Sequence, residues 1–140
     1  MKKLSSLFVV SSLIILGISC AHLPLSRIAD EEILMQRVKG AWDARIKKDW
    51  DTVYDFTWEG YKKEVPRKQF IEGANLDVLR FEIKDFQIWP EEKRAEVTIS
   101  FDISYMGFQL KNSKFKEEWA WEKENWFFKL KPLKTFSKKK

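Results

Sequence analysis

The sequence predicts an α+β domain in which N-terminal helices pack on a bulged antiparallel sheet. Between residues 30 and 46, apolar residues recur every three or four positions, as on one face of a helix. From residue 79 they recur every second position, as on one face of a strand. Short polar turns separate these alternating segments, which indicates antiparallel neighbours. The 140 residues are enough for about one such domain.

The composition is that of a globular chain with a sizeable core. Apolar residues make up 44% of it and aromatic residues 15%. A single cysteine excludes an internal disulfide and a cysteine-based metal cluster. The single histidine, His22, argues against histidine-based catalysis. We therefore expect no cofactor and no metal site.

The N-terminus is typical of an exported protein. Lys2 and Lys3 precede an uncharged, mostly apolar run over 4–18, which is too short to span a bilayer comfortably but suits a signal peptide. The run leads into Leu-Gly-Ile-Ser-Cys, ending at Cys20, and this resembles the signal of a bacterial lipoprotein. Cleavage after Ala21, or an uncleaved helix that buries Cys20, are the alternatives.

The lipoprotein resemblance implies a signal peptide over 1–19 and acyl chains, palmitate among them, on Cys20. It also implies attachment to the bacterial cell envelope through the N-terminal lipid. Because Ala21 follows the cysteine, it further implies an outer-membrane position facing the periplasm. Residues 20–29 then form a tether, 30–132 the folded domain and 133–140 a basic tail.

The excess of positive charge lies at the two ends of the chain. The net charge is +5, but lysines crowd the signal and the last twelve residues. The remaining chain has more acidic than basic residues, so it offers no basic face for nucleic acid. The tail is interpreted as a solvated end, with weak binding to anionic lipid or the cell wall as the alternative.

The helical part begins with a long amphipathic segment. Asp30 is a plausible N-cap for it, and the stripe comprises Leu34, Val38, Ala41, Trp42 and Ile46. Asp49 is expected to cap a second, short helix. A short strand is expected within Thr57–Glu64, and Pro66 suits the first turn of a third helix that ends near Gly73.

From residue 79 onward, the sequence predicts an antiparallel meander. Alternation starts at Leu79 and changes phase near Lys84-Asp85, which predicts a bulge there. Ala95–Tyr105 alternates without a break and is the clearest predicted strand. A break in the strand pattern is expected at 111–113, a turn at 123–125 and a last strand over 126–131.

This order resembles the nuclear-transport-factor-2-like superfamily, also called ketosteroid-isomerase-like or cystatin-like. Three stretches support the resemblance: the joint between the first helices at 48–54, the third-helix start at 66–70, and the aromatic hairpin at 119–130. The resemblance implies a sheet that curves around the helices into a cone-shaped roll with an apolar mouth. Family members often dimerise through the open sheet face, so a dimer is one possible oligomeric state.

The aromatic excess supplies the candidate binding residues. The residues proposed to line the cone are Tyr54, Trp58, Tyr105, Trp119 and Trp121. Asp85 and Glu117 are candidate acids for a pocket. The pattern favours a different role for each: Asp85 marks the bulge, and Glu117 is a solvated charge near the start of a strand. No catalytic set is identified.

The leading hypothesis is a non-enzymatic, membrane-anchored envelope lipoprotein that binds a partner protein or an apolar small molecule. The alternatives are an isomerase- or lyase-like enzyme of the same fold with an acidic base in the cone, and a structural cell-envelope module.

Overall fold

The computed structural model describes residues 25–132, and side chains from residue 30 onward. Four helices precede a four-stranded sheet. The helices are α1 (Leu25–Ile46), α2 (Trp50–Asp55), α3 (Glu59–Glu64) and α4 (Arg67–Gly73). The strands are β1 (Asp77–Trp89), β2 (Arg94–Tyr105), β3 (Phe108–Glu122) and β4 (Asn125–Phe128). The predicted α+β class is thereby confirmed, whereas the signal peptide, Cys20 and the basic tail lie outside the described residues.

Helix α1 supplies the helical half of the core. Leu34, Val38, Ala41 and Trp42 are buried, as the stripe predicts. The helix begins at Leu25, so Asp30 lies inside it and the predicted N-cap is wrong. Residues 25–29, expected as tether, are helical. Ile46, the last residue of the helix, belongs to the predicted stripe but is exposed.

Of the three short helices, α2 has a side-chain N-cap, whereas α3 and α4 have none. The Asp49 carboxylate accepts a hydrogen bond from the Thr52 N–H at 3.1 Å, as expected for the N-cap of α2. Pro66 immediately precedes α4, close to its predicted place. The short strand predicted within Thr57–Glu64 is wrong. Within that segment only Thr57 forms a β-bridge, to Phe128. Residues 59–64 form α3, whose first turn is closed by hydrogen bonds from the N–H groups of Tyr61 and Lys62 to the Trp58 carbonyl.

The sheet is an open meander in the order β1-β2-β3-β4, with each neighbouring pair antiparallel. The bulge predicted at Lys84-Asp85 is confirmed by a register shift between Ile83 and Asp85. Valine, isoleucine and tryptophan side chains of its inner face pack on α1, and Val97, Ile99 and Trp119 are fully buried.

A second bulge lies in β3, opposite the strand predicted over Ala95–Tyr105. The alternation predicted for that strand is confirmed as far as Ile103, since Ala95, Val97 and Ile99 are buried and Phe101 and Ile103 pack against the core. The register shifts between Phe101 and Ile103, and Asp102 is buried. On the facing strand, β3, Asn112 has φ +53°. The break expected at 111–113 is therefore a kink, and β3 continues through it. The Asp102 carboxylate holds the kink by accepting from the Asn112 N–H at 2.6 Å and from Arg80 Nε at 2.5 Å.

The two ends of α1 lie at opposite ends of the sheet. Near its N-terminal end, the Asp30 carbonyl accepts from Trp126 Nε1 at 3.1 Å, beside the β3–β4 turn. Just beyond its C-terminal end, Lys48 Nζ lies 3.0 Å from the carboxylate of Asp77, the first residue of β1. Asp77 pairs with Ser104, close to the β2–β3 loop. None of the described helices is both long and apolar enough to cross a membrane.

Candidate functional site

A cavity of about 590 Å³ opens between α2, α4 and the segment that follows β4. This volume falls within the range of about 300–1,000 Å³ that is usual for small-molecule sites. Its walls are mostly apolar, formed by Trp50, Val53, Val65, Phe70, Leu76, Phe128, Leu130 and Pro132. Polar side chains interrupt them at Arg45, Tyr61, Gln69, Asn75 and Lys131.

Aromatic packing sets the position of the helical wall. The Phe70 ring of α4 lies 5.5 Å from the Tyr54 ring of α2 and 6.1 Å from that of Tyr61, centroid to centroid. The Tyr54 hydroxyl donates to the Val65 carbonyl at 2.8 Å, which ties α2 to the turn before α4. The wall is therefore built on packed elements and not on a free loop.

One ion pair lies behind the cavity. Arg45 Nη2 is 3.3 Å from Glu117 Oε1, and the side chains are 8% and 1% exposed. The other carboxylate oxygen accepts from Trp119 Nε1 at 3.2 Å. The guanidinium also lies over the rings of Trp42 and Phe128, 4.6 and 4.9 Å from their centroids. Arg45 thus joins the cavity to the core of the domain.

Burial shifts both members of this pair toward their neutral forms. Desolvation raises the pKa of Glu117, with Arg45 and Trp119 opposing the shift. Desolvation likewise lowers the pKa of Arg45, with Glu117 opposing it. The two charges therefore stabilise each other less than water would stabilise each of them.

The aromatic residues proposed from the sequence are scattered across the fold. Tyr54 is buried behind the cavity wall, and Trp58 donates from Nε1 to the Leu130 carbonyl at 2.9 Å. Trp119 is completely buried in the core, while Trp121 packs edge-on against Trp126. Tyr105 is exposed at the end of β2. The cavity is lined instead by Trp50, Tyr61 and Phe70.

The two candidate acids lie in different environments, and neither lines the cavity. Asp85 is exposed at the β1 bulge, where its carboxylate accepts from the Phe86 N–H at 2.9 Å. Glu117 is fully buried, so the expectation that it is solvated is wrong. Its position on the inward aromatic row of β3 and the presence of Arg45 on the facing helix explain the burial.

Arg45 is the buried charged residue of the site, and sequence reasoning missed it as it missed Trp50, Tyr61 and Phe70. Its charge suits the C-terminal end of a helix, which accounts for a cation there without any buried partner. Its spacing carried a different signal, since it lies three positions after Trp42 and seven after Val38, on the apolar face of α1. A cation on that stripe has to find a buried partner or a ligand.

A second surface of interest is the loop between β2 and β3. Met106 and Gly107 form a two-residue loop with φ of +50° and +82°. Met106 is 81% exposed and Phe108 75% exposed, and Tyr105 and Leu110 are also exposed beside them. We call these four residues the tip patch. Within 25–132, no group of three or more histidine, cysteine or acidic residues is placed to hold a metal ion.

Comparison with known proteins gives similarity of fold only. A scan of family models and a search of curated proteins find no match. Among solved structures, an NTF-2 like protein of unknown function from Shewanella oneidensis MR-1 has a TM-score of 0.48 and 17% identity, covering 70% of this chain and 93% of that chain. That score is too low to establish a shared fold.

A second solved structure reaches a TM-score of 0.51. It is a SEC-C motif containing protein from Rhodopseudomonas palustris, 13% identical, and the match covers 64% of this chain and 69% of that chain. At this identity the similarity concerns the α+β fold alone.

Proposed function

We propose that this protein is a membrane-anchored envelope lipoprotein whose α+β domain, a nuclear-transport-factor-2-like roll, binds an apolar small molecule without transforming it. The observation that carries the proposal is the 590 Å³ cavity with its largely apolar wall. The order of helices followed by a bulged meander supports the family assignment.

Binding is favoured over catalysis by the position of the acids. An isomerase- or lyase-like reaction needs a base within hydrogen-bond reach of the bound substrate. Asp85 is exposed outside the cavity, and Glu117 is occupied by Arg45 and Trp119. Neither carboxylate is placed to take a proton from a molecule between α2 and α4.

The test uses N-phenyl-1-naphthylamine, an uncharged apolar dye whose fluorescence rises in apolar surroundings. The full chain is expected to bind it with saturation. Ala74→Phe adds a ring to the cavity lining and is expected to weaken binding by about tenfold or more. Gln87→Phe adds the same ring to the exposed face of β1 and serves as the matched control. Equal dye binding by the two variants would contradict the proposal.

Anchoring has its own test, which is independent of the cavity. Cys20→Ala removes the thiol that lipidation requires, so the variant is expected to stay unprocessed and to lose its acyl label. Cys20→Ser provides a closer isostere with the same expected result. Unchanged processing and membrane fractionation in both variants would refute the lipoprotein assignment.

A second candidate function, docking of a partner protein, is favoured by the tip patch. Large apolar side chains that stay exposed beside one another are typical of interaction surfaces. The measurement is cross-linking in the envelope, which should capture such a partner with the unaltered protein. Phe108→Ser and Met106→Asn are each expected to abolish that capture. Asn also suits the positive φ at 106, so loss of capture could not be assigned to a damaged loop.

A further inference from the structure

The charged residues that line the cavity are both cationic. Arg45 is buried in its inner wall, and Lys131 is exposed at its edge. Within residues 25–132, no carboxylate belongs to the lining. An apolar cavity with cations and no lining acid favours a ligand that has an apolar body and an anionic group.

Arg45 has a donor that the protein does not use. A guanidinium carries N–H groups on three nitrogens, and Glu117 engages the Nη2 side at 3.3 Å. Nη1 is shielded from solvent and has no hydrogen-bond partner in the part of the chain that the structure describes. Arg37 Nη2 and Trp42 Nε1 are also buried without a partner among the described residues, but neither residue lines the cavity. Because buried donors are nearly always satisfied in native proteins, the unpaired donor of Arg45 is the one that a ligand in the cavity can satisfy.

The charge on Arg45 is also incompletely compensated. Glu117 is its one buried ionic partner among the described residues, and it shares its carboxylate with Trp119. Desolvation outweighs Glu117 in its effect on the pKa of Arg45. A second acceptor carrying negative charge would offset that desolvation, which a neutral carbonyl does less well.

We propose that the cavity binds an amphiphilic carboxylate, with its chain along Trp50, Phe70 and Leu76 and its carboxylate accepting from Arg45 Nη1. Lys131, at the edge, adds long-range attraction for the same charge. The inference rests on the proposed function, since it specifies the ligand class of the same cavity. Arg45 Nη1 has almost no accessible surface, so its N–H reaches the ligand only if the guanidinium or the adjoining wall shifts on binding. Glu117 can remain on the Nη2 side of the guanidinium.

The first arm of the test compares two ligands on the unaltered full chain. Decanoate and 1-decanol have chains of equal length and differ in the head group. Each competes against N-phenyl-1-naphthylamine at pH 7. We expect decanoate to bind about tenfold more tightly or better, because its head is a charged acceptor. Equal competition would overturn the proposed head-group preference while leaving apolar binding intact.

The second arm alters the cations. Lys131→Glu is expected to weaken decanoate severalfold and to leave decanol unchanged. Lys114→Glu, an exposed position on β3 outside the cavity, is the matched control. Arg45→Lys keeps the positive charge but removes the additional donor nitrogens, and we expect it to remove most of the preference for decanoate, leaving the part that Lys131 supplies. If Arg45→Lys fails to fold, the ligand pair and Lys131→Glu still decide the question.

The outcomes separate the two proposals. If neither ligand displaces the dye and the dye itself does not bind, the proposed function fails. If the dye and both ligands bind without preference for the carboxylate, only the head-group inference fails. A preference for decanoate that Lys131→Glu reduces and Lys114→Glu leaves intact supports both.

Discussion

Arg45 of α1 and Glu117 of β3 form an ion pair whose nitrogen and oxygen atoms lie 3.3 Å apart, with each side chain less than a tenth exposed. The pair joins the long helix to the middle of the sheet at the back of the cavity. Removing one partner leaves an uncompensated charge in the core, which costs far more than the pair contributes as a whole.

Glu117→Ala is therefore expected to lower the free energy of unfolding by about 3–5 kcal/mol, measured by urea denaturation. The double variant Arg45→Met with Glu117→Leu should lose less, since no charge is left buried. Glu96→Ala breaks the exposed pair with Lys116 and is the control, with an expected loss of about 1 kcal/mol or less. A loss for Glu117→Ala no larger than that of Glu96→Ala would mean that the buried pair is not formed.

The pH dependence of stability contains a contribution of unusual sign from Glu117. Because burial raises its folded-state pKa above the usual 4.5, the folded protein binds the proton first. This group's contribution is therefore largest below the usual value and is lost as the pH rises through the raised pKa. Relative to Glu117→Gln, the unaltered protein should gain stability as the pH is lowered from 7 toward the usual carboxyl pKa of 4.5. A constant difference would contradict the raised pKa.

Asp102 should produce the opposite slope. Its pKa is lowered from the usual 3.8, first by the hydrogen bond from the Asn112 N–H and then by Arg80. The stabilisation is present above the unfolded-state pKa and is lost as the pH falls through the folded-state value. Asp102→Asn should be less stable at pH 7 and show a flatter decline between pH 4 and pH 2. Parallel curves for the two proteins would argue against this role.

A glycine substitution in the loop between β3 and β4 is expected to stabilise the protein. Lys123 and Glu124 both have positive φ, +50° and +59°, a region that side chains other than glycine adopt at a cost. Glu124→Gly should raise the free energy of unfolding by about 0.5–1 kcal/mol. Gly107→Ala, at φ +82°, makes the reverse exchange in the other hairpin and should destabilise. Changes of the same sign in both would show that the loop conformations are not as described.

Periodicity predicted the elements well where one face of a segment is buried throughout. The stripe on α1 and the bulge at Lys84-Asp85 follow from spacing alone, and both are confirmed. The Asp49 cap is equally local, because it needs only a side chain and an N–H three residues away. These features require no knowledge of distant parts of the chain.

The failures arise where a distant partner overrides the local pattern. Asp102 is buried because Arg80 and Asn112 satisfy it, and neither is adjacent in sequence. Glu117 is buried because Arg45 faces it from a helix more than seventy residues earlier. The cavity was missed for the same reason, since α4 and the segment after β4 are brought together only by the fold.

Helix α1 has 22 residues and so measures about 33 Å at about 1.5 Å per residue. Its first turns lie beside the β3–β4 turn, and its last lies near the β2–β3 loop. If the chain is held to a bilayer at Cys20, as proposed, and α1 stands along the bilayer normal, that length separates Met106 and Phe108 from the lipid by roughly the thickness of the bilayer's own hydrocarbon layer. The tip patch would then be out of reach of the surface that anchors it and open to proteins on the far side of the aqueous space.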